Sequence, residues 1–190
     1  MKNLLMNKLI PAAAVLLLGL GVAAAAKKDK NQGGPYTDSD IAAKVVHEVR
    51  MYSWYSIWDN VNIRVTEGNV ELSGQVNQPF KKDDLGRLAQ HVPGVVSVTN
   101  DLQVLPLSDF DNRIRQQVAR AIYRDPVLSK YAVGAVPPIH IIVANGHVTL
   151  EGVVNNETDK NIAGIRANGA GLSFGQVTNN LRVDNPSHKS

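Results

Sequence analysis

The stretch V-N-I-R-V-T-E-G-N-V-E-L-S-G-Q-V, Val61 to Val76, decides the fold because the chain makes it twice. Seventy-eight residues on it reads I-H-I-I-V-A-N-G-H-V-T-L-E-G-V-V, Ile139 to Val154. Val61, Ile63 and Val65 alternate with Asn62, Arg64 and Thr66, the period-2 pattern of a half-buried strand. Glu67-Gly68 turns the chain and Val70 and Leu72 resume the apolar face. The second turn is Asn145-Gly146, whose residues both tolerate positive φ and so favour a tight hairpin. A two-residue turn fixes the register. It sets Arg64 opposite Glu71 and His140 opposite Glu151, both expected on the outward face and each contributing about 0.2–1 kcal/mol. Gly74 and Gly152 are expected where each second strand leaves the sheet.

The likeness extends both ways. Downstream, Val96 to Val104 (V-S-V-T-N-D-L-Q-V) matches Gly175 to Val183 (G-Q-V-T-N-N-L-R-V). Upstream, Ile41, Val45 and Val49 match Ile114, Val118 and Ile122, each set at i, i+4, i+8 on one helical face. Asp38, Ser39 and Asp40 offer N-caps for the first helix, and Ser108 or Asp109 for its counterpart. A second helical segment follows each hairpin, over about 80–91 and 157–167. The expectation is an α+β fold of two tandem αββαβ modules, residues 38–105 and 106–184. Each is a three-stranded sheet with two helices packed on one face. The other face is polar in the first copy but carries Ile142 in the second, which calls for a cover.

Lys2 and Lys8 precede an apolar run from Leu9 to Val22, which ends in Ala23-Ala24-Ala25-Ala26. This is the layout of a secretory signal peptide over residues 1–26. With Pro11 inside it, the run is shorter than the ~20 residues of a spanning helix. The chain has no cysteine, so it has no lipid attachment site of that kind, and an exported domain would rest on its core alone. Removing residues 1–26 takes away two lysines and no acid, lowering the net charge from +3 to +1. That leaves no field suited to nucleic acid. Residues 27–37 read as a flexible linker and 185–190 as a polar tail.

The ordered set of helix, apolar strand, (E/N)-G-x-V-x-L-x-G-x-V, helix and V-x-N-x-L-x-V resembles the BON domain of bacterial envelope proteins. The resemblance covers about residues 38–184 in tandem. Behind a signal peptide, the layout is similar to that of osmotically inducible periplasmic BON proteins. It implies an α+β sandwich and a non-enzymatic envelope role, with phospholipid binding or maintenance of membrane integrity. Two departures stand out. There is no lipobox cysteine, so the protein is expected to be periplasmic and not lipid-anchored. The second repeat also replaces Val92-Pro93-Gly94-Val95 with Gly171-Leu172-Ser173-Phe174, and carries five more residues before its hairpin, within Leu128 to Pro138.

Catalytic and metal motifs fail on context. Gly171-Leu172-Ser173-Phe174-Gly175 fits G-x-S-x-G, with Asp184 and His188 following. A nucleophile elbow needs a strand before the serine and a helix after it, and here a strand follows. His47, His91, His140, His147 and His188 form no ligand pair with a carboxylate, so no metal and no cofactor is expected. His140 and His147 read as an outward surface pair. Asn156-Glu157-Thr158 is a glycosylation sequon without meaning in a bacterial host.

The binding candidates are aromatic and basic. Tyr52-Ser53-Trp54-Tyr55-Ser56-Ile57-Trp58 holds both tryptophans. Trp54, Tyr55 and Trp58 either cap the core of the first repeat, fill the contact between repeats, or meet an interface of lipid and water. Four rings in seven residues cannot all face one small core, so at least one should be exposed. Lys81 and Lys82 open the second helix, and Arg113, Arg120 and Arg124 fall near one stripe of the third. The expected partner is a phospholipid membrane surface or an envelope protein, not nucleic acid. The rival reading is a chaperone-like module for envelope polypeptides.

Overall fold

A computed structural model describes residues 36–171, 175 and 177–184. The predicted signal peptide, most of the linker, the polar tail with His188, and Leu172, Ser173 and Phe174 of the G-x-S-x-G match lie outside the described residues.

Helix α1 (Asp38–Met51) starts at Thr37, whose hydroxyl accepts from the Asp40 amide while the Asp40 carboxylate accepts from Thr37 N–H. This capping box displaces the expected caps, because Asp38 is used elsewhere. Strands β1 (Asn60–Thr66) and β2 (Asn69–Val76) form the hairpin, with Arg64 opposite Glu71 as expected. Helix α2 (Pro79–Gln90) leads to β3 (Ser97–Asn100) and β4 (Gln103–Val104), which both pair parallel with β2. The second module repeats the order. Helix α3 (Asp109–Tyr123) is capped by Ser108, and the added residues hold a 3-10 turn, Ser129–Ala132. Strands β5 (Ile139–Ala144) and β6 (His147–Val154), helix α4 (Glu157–Asn168), and strands β7 (Thr178–Asn179) and β8 (Arg182–Val183) follow. The Asn156 side chain caps α4 by accepting from the Asp159 amide.

The fold is therefore α+β in two tandem modules. The third strand of each is broken in two, and one asparagine breaks it. Asn100 Nδ2 donates to the Lys82 carbonyl (2.7 Å) and its Oδ1 accepts from the Leu102 amide. Asn179 does the same with Lys160 (2.8 Å) and Leu181. Each amide occupies the space where a Cβ on Gly86 or Gly164 would stand, 2.6 and 2.9 Å away, so helix glycine and strand asparagine form one joint. A second device ties helix to hairpin. The Asp38 carboxylate accepts from the Glu67 and Gly68 amides, and Asp111 from Asn145 and Gly146. Glu67 and Asn145 both have φ 52°, so these turns present successive N–H groups on one side.

Gly74 and Gly152 do not end their strands. Each sits inside at φ +112°, where a Cβ would lie 2.2 Å from the Asn60 carbonyl oxygen or 2.0 Å from that of Pro138. They mark close backbone approach rather than exit.

Two cores result. Ile41, Val45 and Val49 of α1 pack with Val70, Leu72, Leu85 and Leu102. Ile114, Val118 and Ile122 of α3 pack with Ile141, Leu150, Ala163 and Leu181. Ile142 is buried, in keeping with its need for a cover.

Candidate functional site

The loop from Tyr52 to Asp59 sorts its rings. Trp54 turns outward, 63% exposed, and meets Phe80 edge-on with ring centroids 5.8 Å apart. The exposed Met51 closes α1 two residues before this loop's exposed Ser53-Trp54 pair. Tyr55 and Trp58 turn inward. Tyr55 packs on the first core and lies 5.6 Å from the His140 ring, while Ile57 and Trp58 pack on the second core. This is the contact between the modules, and it removes Tyr55 and Trp58 from any exposed binding surface. Burial, with Asp59 adding, pushes the Tyr55 hydroxyl up to about 12, so it stays protonated.

The same loop closes the free edge of the second sheet. Ile141 N–H donates to the Ile57 carbonyl (2.7 Å), and His140 Nδ1 donates to the Asp59 carbonyl (2.5 Å). His140 is thus buried between modules, not on the outward surface where strand alternation put it, because the first module covers that part of the sheet. Burial holds its pKa below the usual histidine value, and the Asp59 carbonyl and the charges of Asp59 and Glu151 only partly offset this.

Asp59 organises the loop. Its buried carboxylate accepts from the Ser56 amide and hydroxyl (both 2.9 Å), the Asn77 amide (2.9 Å) and Lys81 Nζ (2.7 Å). Lys81 is consequently buried and ion-paired, which corrects its reading as a surface cation. The second module puts the opposite charge at the matching site. Asp159 of α4 is buried and meets Lys130 Nζ at 2.7 Å, with the Tyr131 hydroxyl donating to it at 2.5 Å. Burial would raise the Asp159 carboxyl, but Lys130, Tyr131 and Asn156 together hold it below the usual range.

Between the two helices of each module runs a groove. The α1–α2 groove, ≈ 580 Å³, carries His47 and His91 over Leu88 and Val92. The α3–α4 groove, ≈ 470 Å³, carries Arg120, Arg124 and Arg166 beside Ile165, itself 66% exposed. His47 aligns with Arg120 and Leu88 with Arg166, so equivalent grooves carry different chemistry. Arg166 Nε is bound to Asp125 at 2.6 Å. Burial works to raise the Asp125 carboxyl, yet Arg166 and the Val127 and Leu128 amides hold it below the usual range. Arg120 and Arg124 form no ion pair among the described residues, so the groove has cationic charge in excess.

The sequence candidates therefore separate. Arg120 and Arg124 come together in one groove, joined by Arg166, which the stripe on α3 alone did not reveal. Arg113 is exposed and lies over the Phe110 ring, 5.8 Å away. Lys82 is half-buried on α2, and Trp54 stands with Phe80. Among the described residues no three His, Asp or Glu side chains gather as a metal site, and no helix is long and apolar enough to cross a membrane.

The repeated hairpin, the asparagine-broken third strand and the paired helices are features of one recurring module. The BON domain profile matches residues 37–106 and again 110–185. The chain belongs to the BON domain family. This BON protein is a tandem pair, and the family is generally non-catalytic and known for phospholipid binding. No curated protein matches the chain. Among solved structures it is similar to CdsD, a structural protein of the type III secretion system of Chlamydia trachomatis. The identity is 14% and the TM-score 0.30, over 76% of this chain and 61% of that one. It is also similar to the C-terminal domain of CdsD, at 16% identity and TM-score 0.29 over 76% and 64%. The BON chain spans less than two thirds of the length of either.

Proposed function

We propose that this BON protein is a non-enzymatic envelope protein that binds anionic phospholipid surfaces and supports envelope integrity under osmotic or related stress. The observation that carries this reading is the α3–α4 groove, where Arg120 and Arg124 stand without acidic partners among the described residues, beside the exposed Ile165. Cations beside an exposed apolar side chain suit a phosphate headgroup above an acyl boundary. Each basic group near an anionic surface contributes about 1 kcal/mol. Arg120→Gln with Arg124→Gln should then weaken binding by about 2 kcal/mol, or roughly 30-fold.

The test is co-sedimentation with anionic and zwitterionic vesicles over a salt series. Binding to anionic vesicles alone, weakened by salt and by the double substitution, is the expected result. Equal binding by the double variant would refute the role given to the groove. The exposed pair Trp54–Phe80 favours a second reading, a module that holds envelope polypeptides. Contact through that apolar pair would persist at high salt, and Trp54→Ala would remove it.

A further inference from the structure

The two sheets treat their outer edges differently. In the second module every residue whose polar groups point away from β6 has one of them taken. The Tyr123 hydroxyl donates to the Ile139 carbonyl (2.5 Å), Ile141 N–H donates to Ile57, and Arg115 Nη2 donates to the Val143 carbonyl (2.6 Å). In the first module the Leu72 carbonyl accepts from the Asp101 amide on the β3 side, and the Gly68 carbonyl accepts from Val96 on that side as well. Since Ile63 faces Leu72 and Val65 faces Val70, the polar groups of Ile63 and Val65 point away from β2, to the open edge. Tyr55 lies against the Val61 end of this edge. Among the described residues nothing bonds to the outward groups of Ile63 and Val65.

The reason lies in α1. Arg115 and Tyr123 of α3 align with Ala42 and Arg50 of α1, and Ala119 aligns with Val46. Among the described residues neither Ala42 nor Arg50 makes a hydrogen bond to the strand, and Val46 leaves an apolar side chain 40% exposed along the same flank. An edge strand of seven residues, open at Ile63 and Val65 beside an apolar helix flank, is a template for another strand.

We infer that this edge is an interface with a second copy of the chain, β1 pairing antiparallel with its counterpart about a two-fold axis at Ile63. The sequence of β1 suits itself in that register. Ile63 meets Ile63 and can exchange two hydrogen bonds, and Val65 N–H meets the Val61 carbonyl at both ends, making four bonds. Asn62 stands opposite Arg64, so no like charges face each other, and the Val46 side chains approach across the axis. A self-complementary contact of this kind closes as a dimer. It does not depend on the lipid reading.

The experiment is sedimentation velocity of the purified protein over a dilution series, with amide hydrogen exchange on the same samples. Dimers should form with rising concentration, and the Ile63 and Val65 amides should become protected in step. Ala42→Arg with Arg50→Tyr gives α1 the caps of α3 and should raise the dimer dissociation constant at least about tenfold. A monomer at every concentration with fast exchange at Ile63 and Val65 overturns the proposal. So does a dimer in which those amides stay unprotected, or one that the folded double variant leaves unchanged. Protection of Ile63 and Val65 only on adding an extended peptide, with the chain itself monomeric, would assign the edge to a foreign strand and also overturn it. The exchange measurement on the unaltered protein decides even where the double variant does not fold.

Discussion

Asp59→Ala should be among the most damaging single substitutions in the first module. The carboxylate is fully buried, accepts four hydrogen bonds and neutralises a lysine that is itself buried. Its removal leaves Lys81 as an uncompensated buried ammonium, and breaking a buried pair in this way costs about 3–5 kcal/mol. Against a domain stability of about 5–15 kcal/mol, that is a third or more in most cases. The Ser56 and Asn77 amides lose their acceptor too, so the value should fall in the upper half of the range. Lys81→Met in the same chain removes the stranded charge and should restore at least about 2 kcal/mol. Urea unfolding followed by circular dichroism and by tryptophan fluorescence measures all four corners of the cycle. A loss below about 1 kcal/mol for Asp59→Ala would refute the reasoning. A double variant as unstable as the sum of its singles would do so equally, since it would show that the two charges do not interact.

Two further substitutions test the backbone and the module contact. Gly152→Ala would place a Cβ 2.0 Å from the Pro138 oxygen and should cost at least about 2 kcal/mol, whereas Gly134→Ala, at φ +107° with nothing within 4 Å, should cost only about 1 kcal/mol; equal losses in thermal unfolding would remove the close-approach argument. His140 has its folded pKa depressed by burial, so its contribution to stability is complete above the ordinary value of 6.5 and is lost as pH falls through the folded value. Urea midpoints should drop between pH 7.5 and 5.5 in the parent and drop less in His140→Gln, while parallel declines would show that other groups carry the effect.

Most of the fold was legible because local rules and burial agree. The turns at Glu67-Gly68 and Asn145-Gly146 have the positive φ that their residues favour, and the i, i+4, i+8 stripes on α1 and α3 are the buried faces. The exposure of one ring from the aromatic loop followed from crowding, and Trp54 is that ring. The buried polar groups were not legible in this way. Lys81 sits in K-K-D-D, which reads as a solvated helix start, and Asp59 lies 22 residues before it. A signal was present nonetheless. Lys81, Leu85 and Ala89 are spaced i, i+4, i+8, as are Asp159, Ala163 and Ala167, so each charge stands on a buried stripe. A charge in that position demands a partner. The arginine groove escaped because Arg166 joins Arg120 and Arg124 only when α4 packs beside α3. His140 misled because strand alternation gives the face of a sheet and not what covers it.

The reversed polarity of the two ion pairs, each built on a buried helix charge, has a consequence for folding. Tandem copies of one module risk exchanging equivalent elements, a common failure of repeat proteins. Were α2 to pack against the loop of the second module, Lys81 would meet Lys130; were α4 to pack into the first, Asp159 would meet Asp59. The second arrangement buries two aspartates together and the first sets the buried Lys81 against the half-exposed Lys130, like-charge contacts that cost several kcal/mol where they are buried, while both native pairings oppose unlike charges. The inversion thus marks each helix for its own sheet without altering the apolar pattern that builds both. Exchanging the charges of the second pair, Asp159→Lys with Lys130→Asp, retains a native ion pair but gives both modules the same sign. Refolding yield from urea at high protein concentration should then fall, with more exchanged species on gel filtration, although the Tyr131 contact with position 159 must be checked by the stability of the refolded monomer. An unchanged yield from a monomer of parental stability would show that the apolar cores alone already keep the modules apart.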